Sequence, residues 1–395
     1  MSVIQKPEPV SAPAAGPLPF LDLRAQQARI GPEMRRRIDT VLAHCQFVMG
    51  PEVAELEAEL ARRAGAAHCI SVSSGTDALL IAMMAEGISP GDAVFLPAFT
   101  YTATAETPLL LGATPVFVDV DPRTFQMDMA DLEARIEKVR AEGKLRPRAV
   151  IGVDLFGQPA DWDTLAEIAQ RHDLVTIDDC AQAFGAKLHG RPLGSQADMT
   201  AISFFPSKPL GGYGDGGAMF TESAERAALY RSLRSHGEGQ QRYDVQRIGI
   251  NGRLDTLQAA VLLAKLSVFD EELAARDRVA RHYDARLGNL LQTPARVPDS
   301  DPAWAVYAVL MPDAETRARV QEACRAAGIA TAIYYPKPLH HQPAYAVAHD
   351  GSSLPVSEEI ATRIMALPIH PDLSDAQCDQ VCDAVTAALA QAALR

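Results

Sequence analysis

The chain has 395 residues, 48% of them hydrophobic, which is too long for one simple core and suits two. A formal net charge of -13, with no run of Lys or Arg, excludes a general nucleic-acid binder and a basic membrane-surface patch. Any anionic ligand is therefore held by a local cluster of donors, against the global field.

Residues 1–18 are rich in Pro, Ala and Ser and lack a basic start followed by an unbroken apolar stretch, so they predict a flexible tail. No apolar stretch is long enough to span a bilayer. From residue 52 to about 221, short β-rich runs alternate with amphipathic ones. Strands are predicted over 69–72, 93–96, 116–120, 149–153, 175–177, 200–204 and 218–221, and helices over 53–63, 76–86, 129–139 and 161–171. This alternation predicts an α/β fold, a mostly parallel sheet with helices on both faces.

A long helical stretch follows from about 255 to 290, and the domain boundary is placed within it. The expected division is a large α/β domain over 19–262 and a smaller C-terminal α+β domain over 263–395. In the second, strands are expected near 306–310 and 330–335 and helices over 314–327, 357–365 and 375–390. The six cysteines are scattered, which fits reduced thiols in a cytoplasm. Cys378 and Cys382 stand four residues apart without a His or further Cys nearby, so no metal site is expected.

Four segments near predicted strand ends carry chemistry. Ser73-Ser74-Gly75-Thr76-Asp77-Ala78 follows a strand and opens a helix, where backbone N–H groups and hydroxyls can hold a phosphate, although a plain N-cap has the same pattern. Pro97-Ala98-Phe99-Thr100-Tyr101 supplies aromatics that can stack on a planar ring. Asp178 and Asp179 end a strand, where an α/β sheet places its ligand crevice, and only one of two adjacent acids can point into it. Ser203 and Lys208 lie at and just beyond the end of the next strand. The glycine cluster over 211–217 then leads into a strand instead of opening a helix, unlike a dinucleotide loop. An amine for a Schiff base and an anion for a pyridinium nitrogen are the pair that a pyridoxal phosphate enzyme needs.

Gly50-Pro51-Glu52, Asp179-Cys180-Ala181-Gln182, Gly214-Asp215-Gly216-Gly217-Ala218, Asn251-Gly252-Arg253, Tyr335-Pro336-Lys337-Pro338-Leu339-His340 and Leu367-Pro368 complete an ordered set. With these motifs the chain resembles the DegT/DnrJ/EryC1/StrS sugar aminotransferases, pyridoxal phosphate enzymes of fold type I, the aspartate aminotransferase-like fold. The resemblance implies that Lys208 is the Schiff-base lysine and proton carrier and that Asp179 partners the ring nitrogen. It implies Gln182 beside the phenolic oxygen, Tyr101 stacked on the ring, and Gly75, Thr76 and Ser203 as the phosphate cup. Asn251 matches a residue that reaches the phosphate from a neighbouring subunit, so a homodimer with shared sites is expected.

L-glutamate is the usual amino donor of such enzymes, and a nucleotide-linked keto sugar the acceptor. Leu233-Arg234-Ser235-His236-Gly237 and the run from Arg247 to Ala260 look especially like aminotransferases acting on UDP-2-acetamido-2-deoxy-3-oxo-glucuronate, which serve O-antigen synthesis. For that acceptor Arg253 is the candidate for the carboxylate, and Tyr334, His340 and His341 are candidates for the sugar pocket. A dTDP- or GDP-linked deoxy sugar is the alternative acceptor. A non-catalytic regulator of the same fold is opposed by the intact Asp179, Gln182 and Lys208.

Overall fold

In a computed structural model, residues 17–241 and 243–393 are described. Helices α1 (Leu23–His44) and α2 (Pro51–Ala64) lead into β1 (His68–Val72), α3 (Gly75–Ala85), β2 (Asp92–Pro97), α4 (Ala103–Leu110) and β3 (Thr114–Val118). The alternation continues with α5 (Met129–Glu142), β4 (Arg146–Val153), α6 (Trp162–His172) and β5 (Val175–Asp179). A short hairpin, β6 (Lys187–Leu188) with β7 (Arg191–Pro192), precedes β8 (Met199–Ser203), β9 (Gly217–Thr221) and α7 (Ala224–Leu233). Then come α8 (Thr256–Leu266), α9 (Phe269–Leu287) and β10 (Ser300–Asp301), the last paired with the hairpin. The chain closes with β11 (Tyr307–Leu310), α10 (Ala314–Ala326), α11 (Pro343–Ala346), α12 (Pro355–Arg363), β12 (Ile364–Leu367) and α13 (Asp375–Ala393).

The central sheet has seven strands in the order β1-β9-β8-β5-β4-β2-β3. Only β9 runs antiparallel to its neighbours. It does so because the chain turns back directly through the glycine-rich segment after Lys208, without the crossover that a parallel return needs. Val94, Leu96, Ile151, Val153 and Ile177 face one core with α3, α4 and α7. Ala93, Phe95, Val150 and Phe220 face the other with α2, α5, α6 and α8. The period of two sends Asp179 to the face of Ile177 and Asp178 to the opposite one.

A third core joins α9, α10 and α13 to the two-stranded sheet β11–β12 and buries Tyr283, Trp304, Tyr307, Cys378 and Cys382. The paired thiols are therefore packing groups on one helix face. The stretch expected as one long helix breaks at Ser267-Val268. Position 262–263 lies inside α8, whose Leu262, Leu263 and Leu266 all belong to the sheet's second core, and the cores change over along α9 between Phe269 and Val279.

Three expectations are corrected. The segment 330–335 makes no strand, only a single bridge between Ala332 and Ala366. The partner of β11 is β12 instead, whose first two residues, Ile364 and Met365, fall in the helix expected over 357–365, because periodicity alone does not separate a short buried strand from a helix end. Most of the expected tail lies outside the described residues, but Leu18 is buried and its N–H donates to Gly328 O at 2.7 Å, since its side chain completes the third core. Among the described residues no helix is long and apolar enough to cross a membrane.

Gly152, on β4, is where the sheet and α6 meet most closely: a Cβ there would lie 2.7 Å from the Trp162 ring. Gly152→Ala is expected to cost about 1–3 kcal/mol by forcing Trp162 off its seat. The measurement is the urea midpoint of the variant, and an unchanged midpoint contradicts the close fit.

Candidate active site

A cavity of about 550 Å³ opens at the carboxyl ends of β1, β4, β5 and β8, where a parallel sheet leaves its crevice. One side is built from Ser74, Gly75 and Thr76 at the start of α3, the next from Tyr101, and the floor from Asp179, Ser203 and Lys208. Val306, Tyr334, Tyr335 and Ile369 close it from the C-terminal part, and Phe20 and Leu21 from the N-terminal segment.

Ser74 caps α3, its Oγ accepting the Asp77 N–H at 3.0 Å. The N–H groups of Gly75 and Thr76 open the first turn, where a helix has no acceptors of its own for them. Glycine is required here by close approach. A Cβ on Gly75 would lie 2.9 Å from Ser203 Cβ, and one on Gly217 would lie 2.6 Å from the Ser74 carbonyl carbon. The two small residues seat the α3 start against β8 and β9, which brings Ser203 beside it.

Lys208 leaves β8 through a tight turn, its N–H donating to Phe205 O at 2.9 Å. Burial pushes its amine down to about 8, and the negative charge of Asp179 opposes that fall. Asp179 is buried, with Oδ2 accepting the Thr104 hydroxyl at 2.8 Å and Oδ1 accepting the Ala181 N–H at 3.3 Å. Burial pushes its carboxyl up, while the Thr104 hydroxyl, then the charge of Lys208, then the Ala181 N–H pull it back. The two groups thus keep each other's charge, and each supplies what the other lost on leaving water.

Gln182 is held at both ends of its amide. Oε1 accepts the Phe156 N–H at 2.8 Å, and Nε2 donates to Tyr335 Oη at 3.1 Å. The Tyr335 hydroxyl thereby keeps its own proton for the cavity, and burial pushes its acidity out of the physiological range. Tyr101 also lines the cavity, is 54% exposed and stands 6.5 Å from the Tyr335 ring, so one broad face is left open to a flat ligand. An anion seat, an aromatic wall, a buried carboxylate and a buried amine around one space fit pyridoxal phosphate.

Gly75, Thr76, Tyr101, Asp179, Gln182, Ser203, Lys208 and Tyr334 are thus brought together as the sequence leads one to expect. Asn251, Arg253, His340 and His341 are not in the wall of this chain's cavity. The Gly252 carbonyl accepts the Ser73 N–H at 2.9 Å, so Asn251 and Arg253 run along the outside of the phosphate-seat loop. His340 is buried against Phe117, with Nε2 3.3 Å from Glu358 Oε1, and His341 Nε2 is 3.9 Å from the same oxygen. Burial keeps the His340 imidazole neutral. These three could approach a metal ion, yet Nδ1 of His340 is buried without the orienting acceptor that metal-bound imidazole has, so a plain hydrogen bond accounts for them. Thr104 and Tyr335 were missed as site residues. Thr104 gives no signal, being far from Asp179 in sequence, whereas Tyr335 stood inside a quoted motif beside Tyr334.

Two outcomes are expected. In cofactor-free protein, the rate at which Lys208 captures added pyridoxal phosphate rises with pH and levels off above about 8, because the neutral amine is the nucleophile. Asp179→Asn removes the charge that retains the proton, so the midpoint moves down; stopped-flow absorbance checks both, and a midpoint in the ordinary lysine range contradicts the burial. Tyr335→Phe removes the acceptor of Gln182 Nε2 and weakens cofactor retention by about 1 kcal/mol, several-fold in Kd, with circular dichroism unchanged.

Known proteins match the chain over most of its length. Residues 28–386 match the model of the DegT/DnrJ/EryC1/StrS aminotransferase family. The chain is 47% identical over 368 residues to the UDP-2-acetamido-2-deoxy-3-oxo-D-glucuronate aminotransferase of Pseudomonas aeruginosa, covering 93% of this chain and 99% of that one. It is 40% identical over 366 residues to a UDP-N-acetyl-3-dehydro-alpha-D-glucosamine 3-aminotransferase of Acidithiobacillus ferrooxidans, covering 92% and 96%. The crystal structure of a DegT DnrJ EryC1 StrS aminotransferase from Brucella abortus superposes with a TM-score of 0.90 at 45% identity, over 94% of this chain and 99% of that one. An amine and a carboxylate that share one buried space, in a chain matched over nearly its whole length, leave one assignment: it belongs to the DegT/DnrJ/EryC1/StrS family and is a pyridoxal phosphate-dependent nucleotide-sugar aminotransferase.

Proposed function

We propose that the chain moves an amino group from L-glutamate to UDP-2-acetamido-2-deoxy-3-oxo-glucuronate, giving a 3-amino sugar for O-antigen and lipopolysaccharide synthesis. The observation that carries this reading is the 47% identity, over 93% of the chain, to an enzyme named for that substrate. A cytoplasmic setting fits a nucleotide-sugar substrate and the free cysteines of the chain.

Bound pyridoxal phosphate supplies an electron-withdrawing ring that makes the α-proton of an attached amine acidic. The chain's residues do the rest. The N–H groups of Gly75 and Thr76 and the Ser203 hydroxyl would bind the phosphate at the positive end of α3. Tyr101 would cover a ring face, Gln182 would flank the phenolic oxygen, and Asp179 would hold a proton on the ring nitrogen. Lys208 Nζ, which sheds its own proton near pH 8, is the base that takes the α-proton of the donor and in the second half-reaction gives one to the sugar carbon. Phe20, Val306 and Ile369 present apolar surface that limits water around that transfer.

A homodimer with shared sites belongs to the same proposal. Asn251 and Arg253 stand outside their own cavity, and Phe47, Val48, Met49 and Ile248 expose apolar side chains that a second copy would cover. In this arrangement Asn251 meets the neighbour's phosphate, and the Arg253 guanidinium takes the sugar carboxylate as a two-pronged donor.

Two experiments test the reading. In coupled turnover assays the acid sugar is expected to exceed its neutral 3-oxo counterpart by roughly 100-fold in kcat/KM. Arg253→Ala should remove most of that preference, and activity confined to neutral or deoxy sugars overturns the substrate. With the acid sugar as acceptor, mixing inactive Lys208→Ala subunits with the weakly active Arg253→Ala subunits should restore roughly a quarter of the wild-type rate, since a mixed dimer keeps one intact site. No recovery contradicts sharing.

A further inference from the structure

Two acids end β5 on opposite faces of the sheet, and the mechanism uses only Asp179. Asp178 has 0% of its surface exposed and turns toward the core that contains Trp162. Its partner in register on β4 is Gly152, over which the Trp162 ring is seated, and on β8 it is Thr200. Neither oxygen of Asp178 has a hydrogen-bond partner, and the same holds for Oδ2 of Asp154 and Oγ1 of Thr200. A carboxyl oxygen of Asp154, one of Asp178 and the Cys180 Sγ nevertheless lie within 4.8 Å of one another.

Two ionised carboxylates this close, buried and without a counterion, are not tolerated in a dry core. The cysteine does not relieve them, since burial and the neighbouring carboxylates keep its thiol protonated. Lys208 lies on the other face, against Asp179. A proton between the acids gives Asp154 Oδ2 and one Asp178 oxygen a partner, and leaves the other Asp178 oxygen to the Thr200 hydroxyl. Asp154 Oδ1 already accepts the Ala160 N–H at 2.7 Å and the Trp162 Nε1–H at 2.9 Å, which favour its ionised form. Asp178 has no such donors, and burial and the nearby Asp154 charge push its carboxyl up. The Thr200 hydroxyl is beside it as a second partner. Asp154 also donates its own N–H to the Asp179 carbonyl at 3.1 Å, so whatever fixes Asp154 fixes the end of β5.

We propose that Asp178 is a neutral carboxylic acid that donates its proton to Oδ2 of Asp154, and that this buried pair is a positioning strut for Asp179. The pair ties the ends of β4 and β5 together from behind the cavity and leaves Asp179 the single negative charge on its side. The positioning role rests on the reading that Asp179 faces the cofactor nitrogen; the proton itself does not.

Infrared spectra of the cofactor-free protein in heavy water test the proton directly, through the carbonyl stretch that only a protonated acid shows. The expected result at neutral pH is one such band, lost in Asp178→Asn; a wild type without it, or a variant that keeps it, overturns the proposal. In the holoenzyme, Asp178→Asn replaces one neutral group by another and leaves the pH midpoint of the visible band in place. An ionised Asp178 would instead show itself by a shift of roughly one unit. Asp178→Leu strands Asp154 Oδ2 and loosens cofactor binding several-fold relative to Asp178→Asn, and equal retention in the two overturns the strut. Should the Leu variant not fold, the smaller Asp178→Val, which also strands Asp154 Oδ2, takes its place, and retention equal to that of Asp178→Asn overturns the strut. An infrared band that persists while Asp179→Asn leaves the holoenzyme spectrum unchanged separates a failure of the Asp179 reading from a failure of this one.

Discussion

Everything at this site depends on placing one positive and one negative group in a space where neither would be charged alone. Burial drives the Lys208 amine toward its neutral form and the Asp179 carboxyl toward its protonated form, and each resists the effect on the other. The result is a lysine that can act as a base near neutrality beside a carboxyl whose upward shift the amine holds back. A more solvated pair would leave the lysine protonated, and a more isolated pair would leave the carboxylate neutral.

The fold supplies that balance through strand ends. β5 delivers the carboxylate, β8 and the turn after it deliver the amine, and β1 delivers the anion seat, all at the same edge of the sheet. Small residues set the spacing. Gly75 and Gly217 let three backbone segments meet where any side chain would hold them apart. Thr104, from α4, adds a hydroxyl whose hydrogen bond opposes the upward push of burial on the Asp179 carboxyl.

The parts of this arrangement that were legible in the sequence are those carried by local pattern. A strand followed by Ser-Gly-Thr, a strand ending in acids and a lysine before a glycine cluster each predict a position in an α/β sheet from their own neighbours. What stayed hidden depends on contacts distant in sequence. Nothing near Thr104 announces Asp179, and nothing near residue 364 announces that Ile364–Leu367 pairs with β11 instead of extending a helix. His340 and His341 show the limit of reading by residue type: their type suggests ligand contact, whereas in the fold His340 Nε2 lies 3.3 Å from Glu358 Oε1 and neither residue lines this chain's cavity.

The insertion of β9 between β1 and β8 has a bearing on synthesis as well as on structure. The strand that precedes the anion seat and the strand that precedes the reactive lysine do not touch; a strand made later than either separates and joins them. A nascent chain therefore lacks a complete cofactor seat until residues through Thr221 have left the ribosome, and β1 waits over that whole interval for β9, its one sheet partner among the described residues. During this time it is an unpaired apolar edge, so slow or interrupted translation within this stretch exposes the segment most prone to wrong pairing.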